Sequence, residues 1–176
     1  MQSLATEGTS EVATSPVEFD DFYRDEYVPL LRLGYVLGGS RAAAEELVQD
    51  TMLRAYRHWS KVRNYDKPGA WARRVLVNLA TSRRRKLTAE ARAMVRVRHG
   101  DAHAELEPDS EELWRELRKL PARQAQALAL FYVEDRSISD IASLLECAEG
   151  TVKALLHRGR NALALALGDT VEEDTP

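Results

Sequence analysis

The chain is poor in the residues that define several protein classes. One cysteine, Cys147, among 176 residues excludes an internal disulfide and a cysteine-rich metal site, and suits a reducing compartment. No apolar run is long enough to span a bilayer. No basic segment leads into an apolar one near Met1, so no signal peptide is expected. The expected location is cytoplasmic, without a membrane partner. Strand-like alternation is missing, as are a glycine-rich phosphate loop and a nucleophile–base pair. His58, His99, His103 and His157 are scattered. His99 and His103 stand four apart, but two histidines alone do not complete a metal site. No enzyme, metal or cofactor is expected. Aromatic residues make up only 7% of the chain, and net charge is nearly absent, with 25 basic residues against 28 acidic ones.

That near-neutral total conceals a sharp division. From Trp59 to Lys86 nine bases, Lys61, Arg63, Lys67, Arg73, Arg74, Arg83, Arg84, Arg85 and Lys86, face one acid, Asp66. From Leu87 to Glu112 three bases face seven acids, and four more acids follow Asn161. A strongly basic segment inside a neutral chain is the usual electrostatic footprint of a nucleic-acid surface.

Hydrophobic residues make up 44% of the chain, enough for a core, and they recur at helical spacing throughout. Residues 1–17 lack periodicity and read as a disordered leader. Residues 18–37 read as helical, and Pro29 within them predicts a kink or two helices, because proline removes a backbone donor. Gly38-Gly39 ends the segment, and Ser40 is placed to cap a helix over 41–59. Residues 60–67 read as a polar loop. Pro68 suits the first position of a helix reaching about residue 86. Residues 87–108 change from basic to acidic and read as a linker, partly helical at most. Two more helices are expected at 109–119 and 121–133, then two short ones, then an acidic tail at 168–176. The expected class is all-α.

The last two helices carry the strongest local pattern. Ser137-Ile138-Ser139-Asp140 is a capping box. Ile138, Ile141, Ala142 and Leu145 share one face, and beyond a break at Glu146-Cys147 so do Val152, Leu156, Gly159 and Leu163. Two short helices with facing apolar stripes and a tight turn match a helix-turn-helix, whose second helix can enter a DNA major groove. An ordinary helical hairpin would share the pattern. Cys147, in the turn, reads as a small buried hydrophobe.

At these residues the chain resembles a known family. "LPARQAQALALFYVEDRSISDIASLLECAEGTVKALLHRGRNAL" is similar to the fourth conserved region of bacterial sigma factors. "FDDFYRDEYVPLLRLGYVLGGSRAAAEELVQDTMLRAYRHW" resembles the start of their second region, and "PGAWARRVLVNLATSRRRK" its DNA-reading end. Two regions in this order with little between them match the layout of the extracytoplasmic-function (ECF) group. The resemblance implies two small helical domains joined by a flexible linker: region 2 over 18–86, and region 4, a four-helix domain with the helix-turn-helix, over 109–167. It implies a protein that binds core RNA polymerase, directs it to promoter DNA and helps melt it, and that an anti-sigma factor commonly restrains. A helix-turn-helix repressor or activator that never joins polymerase is the alternative.

Residue roles follow from the same resemblance. Core-polymerase binding falls to Glu46, Gln49, Asp50, Leu53 and Arg54. Reading of the minus-ten element, as a separated strand, falls to Lys61, Arg63, Asn64, Tyr65, Trp71, Arg73, Arg74 and Asn78, with Arg83, Arg84 and Arg85 on phosphates. Reading of the minus-thirty-five element falls to Gly150, Thr151, Lys153, His157, Arg158 and Arg160. The chain departs from the family at the turn, with Glu146 where glycine is frequent and Ala148 where serine or proline is. Ala154 and Leu155 stand where a serine–arginine pair is common. The loss of that arginine implies looser reading of the upstream element.

Overall fold

The structure is a computed structural model that describes residues 18–93 and 108–168. The leader, positions 94–107 of the linker, His99, His103 and the tail beyond Gly168 lie outside the described residues. Among the described residues there are eight helices and no strand. They are α1 (Phe19–Gly38), α2 (Arg41–Arg57), α3 (Trp59–Val62), α4 (Pro68–Ala93), α5 (Pro108–Lys119), α6 (Ala122–Tyr132), α7 (Ile138–Leu145) and α8 (Glu149–Leu167).

The first domain is built on a close pairing of α1 with α2. Gly34 and Gly38 permit it: a Cβ on Gly38 would stand 3.1 Å from the Cβ of Ala43, and one on Gly34 3.3 Å from the Cα of Ala44. Gly39 ends α1 at φ 85°, its N–H donating to the Tyr35 carbonyl at 2.8 Å. Ser40 caps α2 as expected, its hydroxyl accepting from the Ala43 amide. Pro29 does not divide the segment: α1 runs unbroken through it. Flanking Leu30 and Leu33 are fully buried, and burial of about 1.5–3 kcal/mol per large side chain offsets the roughly 3 kcal/mol that proline costs a helix interior.

Two further expectations are corrected. The polar stretch after α2 opens with the helical turn α3, which carries Lys61, before the chain turns towards Pro68. Helix α4 continues to Ala93, so the first seven residues assigned to the linker belong to it. Leu87, Thr88, Ala89 and Glu90 are exposed there. No apolar stripe marked them as helical, but good helix formers extend a long helix at little cost.

The second domain packs α8 against α6. Gly159 makes this possible: a Cβ there would approach the Leu128 Cδ1 to 2.7 Å. The capping box forms at α7, with the Asp140 amide donating to the Ser137 hydroxyl oxygen at 3.1 Å. The turn into α8 closes through the Cys147 amide, which donates to the Ala142 carbonyl at 3.0 Å. Glu146 holds the left-handed position there, at φ 52° and ψ 55°. A side chain in that conformation costs about 1–2 kcal/mol that glycine would avoid. Ala148 precedes α8 without a capping side chain.

The two domains are pressed together, and their buried residues form one contiguous cluster running from Phe22 and Leu76 to Leu130 and Leu156. Helix α1 touches α5 and α6, and α4 touches α7. The buried Tyr35 hydroxyl donates to Glu111 Oε2 at 2.9 Å across this boundary, and Gln126 donates to the Thr81 hydroxyl. Burial and the Glu111 carboxylate together raise the Tyr35 pKa.

Gly159→Ala should lower stability. Alanine gains about 1 kcal/mol in helix propensity, but overpacking against the fully buried Leu128 costs about 1–3 kcal/mol. A net loss near 1 kcal/mol is expected as a lower urea midpoint at unchanged m-value.

Candidate nucleic-acid and polymerase interface

Three surfaces carry the residues singled out by the sequence. The first is the outer face of α2. Its inner face buries Ala44, Leu47, Val48, Thr51, Met52 and Ala55, so helical periodicity turns Glu46, Gln49, Asp50, Leu53 and Arg54 outward, and all five are exposed. Leu53 is 46% exposed, and Tyr56, one turn further on, is 65% exposed. Tyr56 packs edge-on against Phe19, with ring centroids 5.1 Å apart. The sequence reading overlooked Tyr56, although its three-residue spacing from Leu53 places it on the same face.

The second surface is α8. Gly150, Thr151, Lys153, His157, Arg158 and Arg160 are all exposed, and nothing lies within 4 Å of where a Gly150 Cβ would sit. Leu155 does not belong with them. It is 7% exposed and part of the core with Val152 and Leu156. An arginine at 155 would bring a charge into that core rather than towards DNA, which corrects the reading of this position as a lost DNA contact.

The third surface is the α3–α4 region, and here the structure departs most from expectation. Lys61, Asn64, Tyr65, Asn78 and Arg85 are exposed, and Arg63 is half-buried. Asn64 donates to the Ser60 carbonyl at 2.7 Å. Trp71 is half-buried against the core. Four arginines of α4 are engaged. Arg73, at 4% exposure, donates to Glu26 Oε2 at 2.6 Å from one terminal nitrogen and from Nε to Glu134. It also donates to the Gly69 carbonyl at 3.0 Å. Arg74 meets Glu146 at 2.9 Å and the Ser143 carbonyl at 2.5 Å. Arg83 pairs with Glu46, and Arg84 donates to the Leu120 carbonyl at 2.6 Å. Lys67 meets Asp140 at 2.9 Å. Hydrogen bonds from Lys67 and Ser137 hold the Asp140 carboxyl below the usual carboxylate range.

A cleft of about 520 Å³ lies at this junction, with Tyr65, Trp71, Arg73 and Arg74 on one wall and Asp140 and Ser143 on the other. The signal for Arg73 was present in the sequence. It stands three and four residues before Leu76 and Val77, both buried, so it shares the inward face of α4.

A basic helix in one small helical domain and an exposed helix-turn-helix in the other are the features of a DNA-binding protein. Comparison with known proteins makes this specific. Residues 22–90 match the Sigma-70 region 2 family and residues 110–163 the Sigma-70, region 4 family. The chain is 31% identical to the ECF RNA polymerase sigma factor SigM of Mycobacterium tuberculosis, over 90% of this chain and 82% of that protein. It is 33% identical to EcfG of Rhodopseudomonas palustris, over 89% and 91%. Among solved structures it is similar to the sigma factor RpoE of Bartonella quintana, determined in complex with the anti-sigma factor NepR, with a TM-score of 0.69, 28% identity and coverage of 85% of this chain and 98% of that one. The chain belongs to the ECF sigma factors of the sigma-70 family. It is a sigma factor, which binds core RNA polymerase and promoter DNA and directs transcription initiation. The family is not a class of enzymes. No described helix is long and apolar enough to cross a membrane.

Removing Arg73 tests the buried pairing. Arg73→Met leaves Glu134, whose side chain is 4% exposed, short of its main counter-charge, and breaking such a pair costs about 3–5 kcal/mol. A loss of at least about 3 kcal/mol is expected in urea unfolding of the full chain. Arg73→Met combined with Glu134→Leu should recover much of it, since a well-packed apolar replacement of a buried pair is often close to neutral.

Proposed function

We propose that the outer face of α2 docks on core polymerase, that the α3–α4 region reads the minus-ten element, and that α8 reads the minus-thirty-five element. The observation that supports this most is the shared exposure of Glu46, Gln49, Asp50, Leu53 and Arg54 on one helix face. A repressor that never joins polymerase has no use for such a face. Exposed acids and amides around a leucine suit a basic helical partner. On this reading residues 18–93 form the polymerase and minus-ten domain, and 108–167 the upstream-element domain. The chain works in the cytoplasm and performs no catalysis itself.

Lys61, Arg63, Arg83, Arg84 and Arg85 hold phosphates, while Asn64, Tyr65 and Trp71 stack on or contact the edges of unpaired bases. Arg74 and Asn78 complete that face, while Arg73, held inward by Glu26 and Glu134, positions the helix that carries it. On α8, Lys153, Arg158 and Arg160 grip the backbone, and Gly150, Thr151 and His157 approach the groove. With Leu155 turned into the core, this helix offers few side chains for base edges. An anti-sigma factor is a fitting partner, because a sigma factor of similar fold was solved bound to one.

Holoenzyme formation and promoter-dependent initiation test the reading. Asp50→Ala should weaken core binding about tenfold, or about 1.4 kcal/mol, without altering DNA binding by the free chain. DNA binding without polymerase association would establish the repressor or activator instead. Lys153→Ala, in preformed holoenzyme, should weaken upstream-element binding similarly across sequences and reduce the salt slope by about one unit.

A further inference from the structure

The cleft of about 520 Å³ between the domains falls in the size range of small-ligand sites. Its walls combine two kinds of group. Tyr65 and Trp71 bring aromatic rings from the first domain, and Lys67, Arg74 and Arg136 line it against one acid, Asp140. Arg136 comes from the second domain, between α6 and α7. Its backbone is fixed: the amide donates to the Leu130 carbonyl at 3.0 Å, and its neighbours are left-handed Asp135, at φ 49°, and the capping Ser137. Its side chain is poorly served. Nη2 reaches Glu134 at 3.4 Å, an acid that Arg73 already takes. Nε is buried and finds no acceptor among the described residues. A buried donor without an acceptor costs stability, and this one belongs to a residue on the wall of a cleft.

The other cations differ in how firmly they are held. Arg73 is committed to its buried partners. The side chains of Lys67 and Arg74 are 71% and 39% exposed, and their partners Asp140 and Glu146 are 38% and 72% exposed. Such exposed pairs contribute little to stability, so these two cations exchange a carboxylate for another anion at little cost. Helix α4 also begins at the cleft: Lys67 directly precedes it, Ala70 and Trp71 lie in its first turn, and that turn holds no acid. A helix start of this kind favours an anion.

We propose that this cleft is a binding site for a purine nucleotide, its base against Tyr65 and Trp71 and its phosphates on Arg136, Lys67 and Arg74. A ring and a chain of anionic oxygens are the two chemistries the walls offer, and a phosphate oxygen supplies the acceptor that Arg136 Nε lacks. The bound nucleotide occupies the two rings assigned to unpaired promoter bases, so it competes with single-stranded DNA. That consequence rests on the reading of Tyr65 and Trp71 as DNA-facing; the site itself does not.

The test titrates ATP, GTP, adenosine and inorganic triphosphate in turn into the full chain, followed by calorimetry. ATP or GTP should bind at one site per chain, with adenosine and triphosphate at least tenfold weaker. Arg136→Gln should weaken the nucleotide at least tenfold. Initiation by preformed holoenzyme should be unchanged, because Arg136 lies outside the faces assigned to DNA and polymerase. Ser143→Trp, at an exposed position lining the cleft, should weaken it as much by filling the space, and a wild-type urea midpoint in either variant shows that the loss is not one of folding. Labelled single-stranded DNA of mixed sequence, bound at low salt, should be displaced from the wild-type chain by the nucleotide. No binding of ATP or GTP, or binding that survives both substitutions, would overturn the site. Triphosphate binding as tightly as the nucleotides would overturn the stacked base and with it the proposal. Nucleotide binding that both substitutions abolish, with DNA binding absent or unaffected, would establish the site and overturn the DNA-facing reading of Tyr65 and Trp71.

Discussion

The buried guanidinium of Arg73 is the constraint on which the arrangement depends. Moving a cation into an interior costs several kcal/mol even after relaxation, and only close, well-matched acceptors offset it. Here the acceptors come from three places, Glu26 of α1, Gly69 at the start of α4 and Glu134 between α6 and α7. Each must be positioned for the others to hold. A Cβ on Gly69 would fall 1.9 Å from Glu26 Oε1, so a side chain there would push the carboxylate from its place beside Arg73. A single charged group thereby fixes the angle between α1 and α4 and the seat of the second domain upon both.

Much of the local structure was legible because it is written in short-range chemistry. Ser40 and Ser137 cap helices because their hydroxyls satisfy amides that a helix start leaves bare. Pro68 begins a helix because its missing donor costs nothing there. The helix-turn-helix, the all-α class and the family emerged from residues a few positions apart. What was not legible is non-local. Pro29 reads as a kink or a division into two helices, and the division is set aside only when Leu30 and Leu33 are seen to be buried around it. Arg73 reads as a DNA contact until Glu134, sixty-one residues away, is seen beside it. No spacing rule links the two.

Leu155 and Glu146 show a related limit. Both depart from the family resemblance, and both first read as losses, one of a DNA contact and one of an unstrained turn. The structure gives each a use within this chain. Leu155 fills the core beside Val152 and Leu156, and Glu146 reaches across to Arg74. Comparison with a family identifies such positions as unusual; the packing around them shows what occupies the place of the usual residue.

The acids and bases at the domain junction belong to one polypeptide, and this determines how their contact responds to surroundings. Their meeting is a first-order event. Two surfaces held in one chain face each other at an effective concentration on the order of millimolar, however dilute the protein becomes in the cell. Making more or less of this sigma factor therefore leaves that contact as it was. Mobile ions, which screen exposed pairs within about 8–10 Å, act on every copy alike.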